Sequence, residues 1–128
     1  MKREDYEHGF APADWDAAKE EARRAMVAAA SRGGVVAYSE LVAEIRALHL
    51  EPQSTHLAHM LGEISSAEHA AGRGMLTAVV VHKSDGVPGS GFFELARALG
   101  GDFNDSLAFW AAELAKVHET WGTRGPNR

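Results

Sequence analysis

Apolar positions recur at steps of three and four along four stretches of the chain. From Trp15 they fall at Ala18, Ala22, Met26 and Ala29 or Ala30, which predicts an amphipathic helix over 15–32 with Asp14 as its cap. Gly33 and Gly34 end it. Ser39 opens a second stretch, SELVAEIRALHL, with Leu41, Val42, Ile45 and Leu48 on one face; it closes at Glu51, because the residue before Pro52 is pushed out of the α region. Ser54 or Thr55 caps a third, THLAHMLGEISSAEHAAG, whose Leu57, Met60, Leu61 and Ile64 form the buried side and which stops at Gly72 and Gly74. A final helix runs from Asp102 or Asn104 to Trp121 with Leu107, Trp110, Leu114, Val117 and Trp121 as its stripe.

Two segments break this period. VVAY, after the first helix, reads as a very short strand, and the β-branched run MLTAVVV predicts a strand from Met75 to about Val81. SDGVPGSG follows, with three glycines and a proline in eight residues, which predicts the tip of a β-hairpin. Ser90–Phe92 then reads as a brief return strand and FFELARALG as a short helix ended by Gly100 and Gly101. The order of elements is that of an α+β, mainly α, winged helix-turn-helix with additional C-terminal helices. Residues 39–48 are the expected positioning helix, 54–71 the recognition helix and 84–91 the wing. A single domain is expected over 12–122, between a flexible N-terminus (1–11) and a flexible tail (123–128).

Composition narrows the function. The chain has 128 residues, enough for one hydrophobic core, and no apolar run long enough to span a membrane. The mixed charges of MKREDYEHGFAPADW fit neither a secretory nor a transit signal, so the expected location is cytoplasmic. The alanine-rich, lysine-poor makeup suits a high-GC bacterium. Zero cysteines exclude disulfides, thiolate metal sites and a cysteine nucleophile. A net charge of −5 works against nonspecific attraction to nucleic acid.

The segments AYSELVAEI, STHLAHMLGEI and VVVHKSDGVPG together resemble the winged-helix DNA-binding domain of the alkylguanine alkyltransferases and alkyltransferase-like proteins, over about 55 residues. The resemblance aligns Tyr38 with the tyrosine that opens a helix in that family, Gly62 with a glycine of its recognition helix, and His82-Lys83 with its His-Arg pair. It implies a DNA-binding winged helix. The reactive cysteine is missing, which excludes alkyl transfer to a thiolate, and the family's recognition-helix arginine would fall near His56 or His59.

The remaining chemistry is sparse. His56, His59 and Glu63 share one helix face, but three or four converging ligands are needed for a metal and no H-E-x-x-H motif occurs. GVPGSG lacks the lysine of a P-loop, and Val81 stands where a two-metal nuclease needs an acid. Ser84, His82 and Asp85 are adjacent in sequence, which is not triad geometry. The expectation is therefore a non-enzymatic protein without cofactor, metal or catalytic residues. Its expected ligand is double-stranded DNA, with Gln53, Thr55, His56 and His59 at the groove and Arg73, His82 and Lys83 at phosphates. Two other readings compete: an acidic adaptor or immunity-type protein that binds a protein partner, and a small-ligand or metal-binding domain around the histidines. The last helix is also a candidate homodimer element.

Overall fold

The computed structural model describes residues 9–122. It consists of α1 (Pro12–Ser31), β1 (Val36–Ala37), α2 (Tyr38–Ala43), α3 (Thr55–Ala70), a 3₁₀ turn (Leu76–Val79) that runs into β2 (Val80–Val81), α4 (Ser90–Ala98) and α5 (Ser106–Trp121). The architecture is α+β and mainly helical. Of the flexible ends expected at residues 1–11 and 123–128, residues 1–8 and 123–128 lie outside the described residues. No helix among the described residues is long and apolar enough to cross a membrane.

Met75–Val81 runs through the centre of the fold, buried along its whole length and packed by α1, α3 and α5. Alanines at 18, 22, 29 and 30, all fully buried, bring α1 close to it. Leu57, Met60, Leu61 and Ile64 supply the expected buried side of α3. A buried peptide group must find a partner inside the protein, and here side chains provide it. The Met75 N–H donates to Glu113 at 2.7 Å, the Thr77 N–H to Ser65 Oγ at 3.2 Å, and the Trp110 indole donates to the Ala78 carbonyl at 2.8 Å. The Ser65 and Thr77 hydroxyls close the arrangement at 2.6 Å.

Several expectations are corrected. The strand expected over 75–81 is a 3₁₀ turn followed by two extended residues, because side chains satisfy this backbone where strand neighbours would otherwise be needed. β2 pairs in parallel with β1, Val36 with Val80 and Ala37 with Val81, so the antiparallel hairpin wing does not form. Its glycines close a tight loop instead, with the His82 N–H donating to the Val87 carbonyl at 2.9 Å and the Gly86 N–H to the His82 carbonyl at 2.8 Å. The expected return strand at 90–92 is the first turn of α4.

The helix boundaries shift for equally local reasons. α1 begins at Pro12, whose missing N–H is one that a first turn leaves unused, so Asp14 lies inside the turn and is not its cap. α2 begins at Tyr38 rather than after Ser39, with the Ala37 N–H donating to Glu40 at 2.9 Å. It ends at Ala43 because the Glu21 carboxylate accepts the N–H groups of Arg46 and Ala47, both at 2.9 Å, and so draws them out of the helical ladder. α5 is capped by Asp105, three residues beyond Asp102, and Leu107 of its expected stripe faces solvent.

Replacing Ser65 by Ala leaves the Thr77 N–H and hydroxyl without their partner in the core. Ser65→Ala is expected to lower unfolding free energy by about 1–3 kcal/mol in urea titrations, with the m-value unchanged because the native fold is kept.

Candidate nucleic-acid interface

α3 carries the main candidate surface. It starts where the Ser54 hydroxyl accepts the Leu57 N–H at 3.1 Å, and its first turn holds no acidic residue. The helix therefore presents the positive end of its dipole without a compensating carboxylate. Gln53, Thr55, His56 and His59 are all exposed here, within two turns, as the sequence suggested. The His56 ring meets Phe10 edge-on at 5.1 Å, which fixes its position at the start of the helix. Glu51, just before it, is paired with His49 at 2.7 Å.

Both carboxylates of α3 are paired with α1: Glu68 is buried against it, and Glu63, on the face of His56 and His59, is bridged to it. Glu63 accepts from the Trp15 indole at 2.9 Å and from Lys19 at 3.1 Å. Glu68 is 3% exposed and lies between two guanidiniums, Arg23 of α1 at 3.0 Å and Arg73 in a two-point contact at 2.5 and 3.2 Å. Both guanidiniums stack over the Trp121 ring, 5.4 and 5.9 Å from its centre. The sequence reading missed this neutralisation. Its signal was a pair of cations one turn apart, Lys19 and Arg23, on one helix and a pair of carboxylates, Glu63 and Glu68, on the other, which becomes legible once the two helices are docked.

The seven sequence-derived positions thus divide. Arg73 sits past the far end of α3, which is roughly 24 Å long, and is paired with Glu68, away from Gln53, Thr55, His56 and His59. His82 and Lys83 are exposed on the loop after β2. The His82 ring lies 4.8 Å from that of Tyr38, whose hydroxyl accepts the Gly89 N–H at 3.0 Å. A Cβ at Gly89 would come within 3.0 Å of His82 Nε2 and 3.3 Å of the Tyr38 hydroxyl, so glycine is what lets the three meet. Burial, only partly offset by the Gly89 N–H, pushes the Tyr38 hydroxyl above its ordinary 10.0 and keeps it protonated at neutral pH. Of the other basic residues, Arg24 pairs with Glu20 at 3.5 Å, while Arg124 and Arg128 lie outside the described residues. Among the described residues no group of three His, Asp or Glu side chains comes together to hold a metal ion.

The hydrogen bonds from Arg73, opposed by burial and reinforced by Arg23, hold the Glu68 carboxyl below its ordinary 4.5. A carboxyl lowered in the folded state stabilises the fold above its unfolded pKa and loses that contribution as pH falls through the folded value. Urea midpoints are therefore expected to fall as pH drops below 4.5. Glu68→Gln should flatten that dependence and cost about 1–3 kcal/mol at neutral pH, less than a fully buried pair because both guanidiniums reach solvent. Glu21, also lowered by its two backbone hydrogen bonds, leaves a residual slope.

The surface chemistry of α3 and of the 82–87 loop is what bears on function, for no protein-family model, curated protein or solved structure matches the chain.

Proposed function

We propose that this chain is a non-enzymatic, regulatory DNA-binding protein of the helix-turn-helix kind, in which α3 enters the major groove and the 82–87 loop, in place of a hairpin wing, meets the phosphate backbone. The observation that carries the proposal is the charge layout of α3. Glu68 is turned to α1, and Glu63, which stands between His56 and His59 on the helix face, is paired with Lys19, so the exposed side presents Thr55, His56, Ala58, His59, Gly62 and Ser66, small or hydrogen-bonding residues whose neighbouring carboxylate is already paired. Gln, Thr and His side chains meet base edges through hydrogen bonds, and small residues permit the close approach that a groove demands.

Gly62 supports the same reading. A glycine inside a helix costs roughly 0.5–1 kcal/mol relative to alanine. Among the described residues, no atom beyond its own helix lies within 4 Å of where its Cβ would stand. Internal packing gives no reason for it, whereas contact with a nucleic-acid edge does.

Fluorescence anisotropy with random-sequence duplex DNA tests the proposal. Saturable binding that weakens steeply between about 50 and 200 mM salt is expected. His59→Glu should reduce affinity at least about tenfold, since it places a carboxylate on the reading face, and Lys83→Ala should lower the salt slope by about one phosphate. Gly62→Ala should raise stability by about 0.5–1 kcal/mol while weakening DNA binding. Absence of binding at the lowest salt contradicts the proposal, because the electrostatic contribution acts even on a noncognate sequence.

A further inference from the structure

The solvent side of α5 differs from that of α1. On α1 the exposed positions include Asp14, Asp16, Glu20 and Arg24; on α5 they are Leu107, Ala108, Ala111, Ala112 and Ala115, and no charge appears among them until Lys116 and Glu119. Alanine and leucine are both good helix formers, but Leu107 also leaves a large apolar side chain in solvent. That side chain is 55% exposed and is one of two exposed large hydrophobics among the described residues. Toward the other end of the same helix a groove of about 810 Å³ opens between α5 and the turn after α1; Gly33, Ala112, Ala115 and His118 line it, with Arg32, Lys116 and Glu119. One helix thus carries an apolar knob near its start and a hollow near its end.

We propose that a second copy of this chain packs on this face, its α5 antiparallel to the first about a two-fold axis passing between Ala111 and Ala112. Ala108 then faces the partner's Ala115, and Ala111 faces the partner's Ala112, so alanine meets alanine along the seam and the helices approach closely. Helical steps of 100° place Leu107 and His118 on one flank of α5 and Asp105 and Lys116 on the other. A two-fold axis across antiparallel helices sets each flank against the same flank of its mate. On the first flank Leu107 reaches the partner's groove beside the partner's His118, on the side where His118 is anchored to the Gly34 carbonyl at 2.9 Å. On the second, Lys116 comes beside the partner's Asp105, and the exchange is reciprocal. This single register seats the knob in the hollow and matches cation to anion, whereas a parallel two-fold sets each flank against the opposite flank of its mate and does neither. The interface involves a different helix from the DNA-reading one, and neither proposal requires the other.

Sedimentation equilibrium of the full chain, combined with single-cysteine variants, tests this dimer. The natural chain contains no cysteine, so an introduced one is unique. The mass is expected to rise from 13.8 kDa toward twice that value with protein concentration, in the weak regime of small interfaces. Ala111→Glu should stay at the mass of one chain at every concentration, with its circular dichroism unchanged because glutamate is a good helix former. Under mild oxidation Ala111→Cys should form disulfide dimers, since the axis passes beside it, and Ala108→Cys should not, since its own copy lies beyond disulfide reach. A natural chain that remains single at all concentrations overturns the proposal. So does a dimer that survives Ala111→Glu, or one in which Ala108→Cys cross-links as readily as Ala111→Cys.

Discussion

A buried backbone that has to be hydrogen-bonded sets the design of this fold. Met75–Val81 is buried along its length and has only two residues of sheet pairing, so its peptide groups depend on Glu113, Ser65 and Trp110. Each of those side chains comes from α3 or α5, and each therefore fixes how a helix sits on the centre. Unsatisfied peptide groups in such a place would cost on the order of a few kcal/mol each. The packing of α1, α3 and α5 around the segment follows from that requirement as much as from apolar burial.

The same docking decides the surface chemistry. Once α3 is set by Ser65 against the central segment, its Glu63 and Glu68 meet Lys19 and Arg23 of α1, and Arg73 completes the cluster over Trp121. Ion pairs of this partly exposed kind contribute modestly to stability. Their larger consequence is the local charge: Glu68 is withdrawn from solvent between two guanidiniums and Glu63 is paired with Lys19, so neither carboxylate of α3 stands without a cation. Net charge describes the whole chain and conceals this, because carboxylates on α1 and in the loops carry the excess.

Much of the helical framework was legible in the sequence, and the reason is periodicity. Trp15, Ala18, Ala22 and Met26 announce α1 as clearly as Leu57, Met60, Leu61 and Ile64 announce α3, and the Ser54 cap is visible as a residue type in position. The wing was misread for a related reason. MLTAVVV has strand composition, but whether it takes partners from another strand or from side chains depends on Ser65, Trp110 and Glu113, which lie far from it in sequence. Likewise Gly86 and Gly89 signal a reversal, yet not that the chain beyond it enters a helix beside Tyr38. Of the candidate surface, the exposure of Gln53, Thr55, His56 and His59 was legible because of their place about the start of α3; the pairing of Arg73 with Glu68 was not, because only the fold brings the two together.

The most direct test of the central claim is an amide NMR titration of the isotope-labelled chain with duplex DNA at low salt. The account predicts shifts concentrated on Gln53 through Gly62 and on His82 and Lys83, with the Trp110 indole and the amides of the central segment unmoved. Shifts confined to α5, or none at saturating DNA, would contradict it.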